Sequence, residues 1–218
     1  LEGQSGAKIS FTSAASSSVI ASICARSSAF VMHQIVAPQP TDSPRVDPQP
    51  SGCASLIPVK PTLIFVHGAC VRDAAWWWSR MVGPLGELGI ETVAVPLSSC
   101  GEAGAELGDL YDDVDACRRA MDGADGPVVL LGHSYGGMVI TEAGADDRVA
   151  RLLYLTSVMA DEGRSQAELT GAEPAPWLDP GEDGTIGVHP DLIREFFLQD
   201  CDEETAEAAV SRLTRQSI

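Results

Sequence analysis

Residues 127–141 read Pro-Val-Val-Leu-Leu-Gly-His-Ser-Tyr-Gly-Gly-Met-Val-Ile-Thr, and no other stretch narrows the possible folds as much. The β-branched, apolar run Val128 to Leu131 has the character of a buried strand and stops at Gly132. Gly132-His133-Ser134-Tyr135-Gly136 is a G-x-S-x-G, and a helix-compatible stretch from Gly137 to Ala145 follows at once. A serine between a buried strand and a helix sits on a very sharp turn, so its neighbours two residues away must be small. Such a turn lifts the Ser134 hydroxyl clear of the sheet. It also aims the first amides of the next helix at the same spot, where negative charge is favoured.

The surrounding pattern alternates strand and helix. Thr62–Val66 is a short apolar run ending in His67-Gly68-Ala69. Trp76 to Leu88 places Trp77, Met81 and Leu85 on one helical face, and Glu91 to Val95 is the next strand. Gly101 to Gly108 is a loop. Asp109 caps a helix whose apolar positions are Leu110, Val114, Cys117 and Met121, with acids and arginines expected opposite. Arg151–Leu155 is a further strand. Apolar strands separated by amphipathic helices predict an α/β fold: a mostly parallel sheet covered by helices on both faces. Ligands then bind at the carboxyl ends of the strands, where His67-Gly68-Ala69 and Ser134 both fall. Of the three consecutive tryptophans 76–78, helical spacing sends at most two to the core and leaves the third at a rim.

The chain's 218 residues suffice for one domain with a sizeable core. Its first thirty-one residues are rich in Ser and Ala, and residues 37–61 carry half of the fourteen prolines, as an extended linker would. Residues 1–58 are therefore expected to be disordered or leader-like, by read-through upstream of Met32 or as a faint targeting segment, with the folded domain over 59–218. A net charge of −17 without a basic cluster excludes a nucleic-acid partner. No stretch is apolar and continuous enough for a membrane. The six cysteines show no C-x-x-C and no ligand spacing with histidine, which predicts no metal and buried thiols in a reducing, cytoplasmic compartment.

Residues 62–170 resemble the α/β-hydrolase superfamily. Phe65-Val-His-Gly-Ala69 resembles its oxyanion loop, Gly132-His-Ser-Tyr-Gly-Gly137 its nucleophile elbow, and Arg151–Leu155 the strand after the elbow helix. The subgroup it resembles is the small esterase-like one related to plant methyl esterases and hydroxynitrile lyases. The resemblance implies Ser134 as nucleophile and the backbone amides of Ala69 and Tyr135 as the oxyanion hole. The chemistry agrees: a serine hydroxyl needs a base, and a tetrahedral oxyanion needs converging donors. His67 and His133 read as structural groups, and Cys70 and Cys100 lack a marked base.

Downstream, the family order of acid and then histidine is hard to find. His189 is the only histidine after Ser134, and it precedes an expected helix over Asp191–Gln199. Glu203–Leu213 reads as another amphipathic helix, so residues 164–213 form a cap-like region roofed by Trp177, Leu178, Phe196, Phe197 and Leu198. The expectation is a C-terminally truncated hydrolase without its final strands, poorly stable or self-associating. In the compact alternative His189 is the base and Asp161 the acid. The function expected is serine-dependent hydrolysis of a small carboxylic ester, with a small-molecule substrate and no cofactor. The alternatives are hydroxynitrile-lyase-like cleavage, disfavoured by Gly68 where those enzymes have threonine, and a non-catalytic binding module. Oligomeric state is not legible.

Overall fold

The computed structural model describes residues 35–36, 60–102, 106–161, 163–170 and 174–217. The leader-like segment expected over 1–58 lies outside these residues apart from one strand, β1 (Ile35–Val36). The remaining elements are β2 (Thr62–Val66), α1 (Ala74–Glu87), β3 (Thr92–Val95), α2 (Leu110–Asp122), β4 (Val128–His133), α3 (Gly136–Ala143) and β5 (Val149–Leu155). After them come α4 (Gln166–Thr170), β6 (Leu178–Pro180), β7 (Thr185–Val188), α5 (Pro190–Phe197), α6 (Glu203–Val210) and β8 (Gln216–Ser217).

The main sheet has the order β1-β5-β4-β2-β3. Strands β5, β4, β2 and β3 run parallel, as the apolar runs between helices require, and β1 pairs antiparallel with β5 at Leu152 and Leu153. Ile35 and Val36 thus depart from the leader-like expectation. They satisfy backbone groups on a β5 edge that would otherwise be open.

Alternation along β2 divides the core. Ile64 and Val66 face α2 and α3, in a cluster with Val114, Cys117, Met121, Val139 and Ile140. Leu63 and Phe65 face α1, where the Phe65 ring stacks on Trp78 with centroids 4.5 Å apart. Trp78 is the buried member of the tryptophan triplet. Trp77 packs against the same cluster, and Trp76 lies beneath the Arg212 guanidinium, 4.3 Å from its ring centre. Helix α2 departs from expectation at one acid. Asp113 is fully buried, because it lies one turn from Leu110 and Cys117 and so belongs to the apolar face.

The cap-like region holds two short strands, β6 and β7, that the sequence pattern did not show, and β8 just beyond it joins them in an antiparallel sheet of order β6-β7-β8. Arg215 ties them together, donating to the Asp179 carboxylate at 2.8 Å and to the Thr185 hydroxyl at 2.7 Å. Residues 212–216 then run beside the loop after β2. The Arg72 amide donates to Arg212 O, the Thr214 amide to Cys70 O, and the Cys70 amide to the Gln216 side chain. No helix among the described residues is long and apolar enough to cross a membrane.

Candidate active site

Register brings the two sequence motifs together. Strands β2 and β4 pair in parallel from Thr62↔Val128 to Val66↔Gly132, so Gly68 and Ser134 follow side by side at the carboxyl edge. A Cβ on Gly68 would lie 3.1 Å from Ser134 Cβ and 3.1 Å from His133 Nδ1, so the loop and the turn are in close packing. Ser134 has φ 51°, the left-handed region that a non-glycine residue adopts only when its surroundings hold it. Three fixtures do so. The Ser134 amide donates to Leu155 O at the end of β5, and its carbonyl accepts from the Gly137 amide and from the Ser157 hydroxyl. Gly136 must be glycine, because a Cβ there would meet Val66 O at 2.5 Å and His67 O at 2.7 Å, both backbone atoms.

Cys70, Asp73, Ser134 and Thr156 are the non-glycine residues at positive φ among those described, and each follows the carboxyl end of β2, β4 or β5. Backbone strain of this kind clusters at functional sites in proteins generally. At that edge, among the described residues, the amides of Ala69 and Tyr135 have no hydrogen-bond partner. Two donors without partners, one next to Ser134 in the chain and one next to Gly68, which packs against it, are the kind of groups an oxyanion uses.

Two buried carboxylates that sequence reasoning missed brace this edge. Asp113 accepts from the Ser99 amide at 2.9 Å, the Ser99 hydroxyl at 2.5 Å and the Tyr135 phenol at 2.9 Å. Gln216 extends the network, donating from Nε2 to the Ser99 hydroxyl at 3.0 Å. Burial, reinforced by Asp113, pushes the Tyr135 phenol far above its ordinary value, so it stays a neutral donor. Glu102 is the second. Its Oε1 accepts from the Ala74 amide at 2.8 Å, and its Oε2 lies 3.2 Å from both the Leu97 amide and His67 Nε2. The position of Asp113 on the apolar stripe of α2 was a usable signal. Glu102 sits in a loop and carries none.

The two histidines next to the motifs are tied into their surroundings. His67 is buried and bonds through both ring nitrogens, the other being Nδ1 to Gly68 O at 2.8 Å. Burial, helped by neighbouring His67, lowers His133 to about 4, so it is neutral at pH 7 and a weak base. The thiols at the edge are unreactive: burial raises Cys70 to about 11 and Cys100 to about 12.

The sequence matches the alpha/beta hydrolase family over residues 63–217. The chain belongs to this family. The chain is 29% identical over 177 residues to the alpha/beta hydrolase nvfD of Aspergillus novofumigatus, a match covering 73% of this chain and 69% of that protein. It is 28% identical over 118 residues to methylesterase 8 of Arabidopsis thaliana, covering 49% of this chain and 41% of that one. Polyneuridine aldehyde esterase of Rauvolfia serpentina is 29% identical over 109 residues, covering 47% and 40%. A crystal structure of polyneuridine aldehyde esterase superposes with a TM-score of 0.61 at 22% identity, covering 72% of this chain and 69% of that one. The chain thus spans about two fifths of the length of methylesterase 8 and of polyneuridine aldehyde esterase.

Of the residues singled out from sequence, Ser134, Ala69 and Tyr135 converge at one edge. The other two do not join them: among the described residues, neither the His189 ring nor the Asp161 carboxylate hydrogen-bonds to Ser134 or to the other. Both are exposed, His189 at the start of α5 and Asp161 in the loop after β5. The aromatic roof packs on itself. The Trp177 ring centre lies 5.7 Å from Phe196 and 5.2 Å from Phe197, and both phenylalanines remain about half exposed. No group of three or more His, Cys, Asp or Glu among the described residues is placed to hold a metal.

Proposed function

We propose that the hydrolase cleaves small carboxylic esters through an acyl-enzyme on Ser134. The Ser134 oxygen attacks the ester carbonyl carbon while a histidine takes its proton. The carbonyl oxygen becomes an oxyanion that accepts from the amides of Ala69 and Tyr135. The intermediate collapses as the histidine returns the proton to the leaving alcohol, and water repeats the sequence on the acyl-enzyme. The observation that carries this reading is the strained Ser134, φ 51°, packed against Gly68 at the edge where, among the described residues, the amides of Ala69 and Tyr135 have no partner. Relatives that are esterases support the substrate class, with a small molecule as partner.

The lyase alternative gains nothing from the site. A side chain at Gly68 would meet Ser134 Cβ and His133 Nδ1 at 3.1 Å, so both neighbours would have to shift to admit the threonine that reading needs.

The test is p-nitrophenyl acetate turnover together with labelling by a fluorophosphonate, for the chain and for Ser134→Ala. Labelling and turnover that vanish with Ser134→Ala support the proposal. A folded chain that neither labels nor turns over favours the non-catalytic binding module. His189→Ala separates a base supplied from the cap, which predicts lost turnover, from one supplied elsewhere in the protein.

A further inference from the structure

An oxyanion hole is only as good as the aim of its amides, and the aim of the Ala69 amide is set by one peptide plane. Gly68 C=O and Ala69 N–H belong to the same trans peptide and point in opposite directions. Whatever holds the carbonyl on one side therefore directs the amide to the other. His67 Nδ1 holds it, at 2.8 Å from Gly68 O. The carbonyl oxygen has no hydrogen to give, so Nδ1 must carry one. The His67 ring is held in turn at Nε2, 3.2 Å from Glu102 Oε2, and both side chains are more than nine-tenths buried. With Nδ1 donating, this second contact needs a proton of its own, carried on Nε2 or on the Glu102 carboxyl. Glu102 is itself fixed by two backbone donors: the Ala74 amide at the start of α1 and the Leu97 amide beyond β3.

We propose that Glu102 is a positioning residue for the oxyanion hole, acting through His67 to fix the Gly68–Ala69 peptide with its amide turned toward Ser134. The proposal rests on the serine-hydrolase reading for its catalytic consequence, but not for its geometry. Glu102 touches no reacting atom. Its carboxylate joins three elements at one point, β2 through His67, α1 through Ala74 and the segment after β3 through Leu97, and the oxyanion loop inherits their rigidity. The closeness of Gly68 to Ser134 gives the arrangement its consequence: a tilt of this peptide moves the Ala69 amide off the position where the oxyanion forms.

The test has two independent arms on the wild-type chain, Glu102→Ala and Glu102→Gln, each checked for a cooperative melt. In the first, ¹⁵N NMR of the His67 ring at pH 8 reads which nitrogen is protonated. Wild type should show hydrogen on Nδ1, and Glu102→Ala should lose this single ordered form. In Glu102→Gln the amide nitrogen can donate to Nε2, so Nδ1–H should persist. A wild-type ring without hydrogen on Nδ1, or an Ala variant with an unchanged ring, overturns the proposal. In the second arm, the rate of Ser134 labelling by a fluorophosphonate should fall about 10²–10³-fold in Glu102→Ala, the effect of losing one oxyanion donor. It should recover to within about tenfold in Glu102→Gln, which a general loss of stability would not produce. Equal rates in wild type and Glu102→Ala, or a folded Gln variant as slow as Ala, also overturn it. If wild type does not label at all, the serine-nucleophile reading fails, and the NMR arm alone decides whether Glu102 sets the loop.

Discussion

Replacing Asp113 by alanine should be among the most damaging single changes in the domain, although the residue touches no substrate. Its carboxylate is fully buried and accepts from the Ser99 amide, the Ser99 hydroxyl and the Tyr135 phenol. A buried donor left without an acceptor costs about 1–3 kcal/mol. The hydroxyl and the phenol can rotate in search of other acceptors, whereas the Ser99 amide cannot. The total therefore falls at about 3–5 kcal/mol, short of three full losses because two of the donors can turn. For a domain of this size each kcal/mol moves Tm by about 2–4 °C, so the variant should melt roughly 6–20 °C below wild type. Asp113→Asn keeps one acceptor oxygen and should lose less than half as much. The assay is urea and thermal unfolding followed by circular dichroism, with Tyr135→Phe as partner in a double-mutant cycle. A coupling between the two of about 0.5–3 kcal/mol is expected for groups in direct contact. An Asp113→Ala chain within 1 kcal/mol of wild type, or no coupling to Tyr135→Phe, would refute the claim that this carboxylate binds α2 to the elbow.

Ser134→Gly should abolish labelling yet raise stability by about 1 kcal/mol, because glycine adopts φ 51° without strain; an unchanged or lower Tm counts against strain at the turn. Gly136→Ala should unfold the chain or leave it insoluble, since its Cβ would press on two backbone carbonyls, and soluble expression with a normal melt would contradict the packing at the elbow. His133 gives stability a pH dependence. Its folded value is lowered from 6.5 to about 4, so the unfolded chain binds the proton first. Its contribution is complete above about pH 6.5 and is lost as pH falls toward 4. Acid titration of Tm should show this decline, and His133→Gln should flatten it.

Much of the fold was legible because it depends on local pattern. Val128 to Leu131 is apolar over a strand's length, and the glycines of G-x-S-x-G admit a turn that larger residues would block. The same holds for β2, where His67-Gly68-Ala69 follows an apolar run, and for the helix capped by Asp109. Strands of this kind pair in parallel and carry their ligand-binding residues at one edge, so Ser134, Ala69 and Tyr135 could be placed together before any coordinates. The cap strands were not legible. Leu178–Pro180 and Gln216–Ser217 are too short to show a period, and they exist only because β7 lies between them.

What the sequence by itself determined, then, is the scaffold and the candidate nucleophile: both follow from which residues are apolar, which are small, and in what order. What only the tertiary structure decided is how the site is braced. Asp113 finds its partners 14 and 22 residues away, Glu102 meets His67 across 35, and Gln216 reaches the Cys70 amide across 146. A buried carboxylate is stable only where donors from distant segments arrive together. Since that meeting is a property of the packed sheet edge, the apolar stripe of α2 could show that Asp113 is buried but not which donors it would meet.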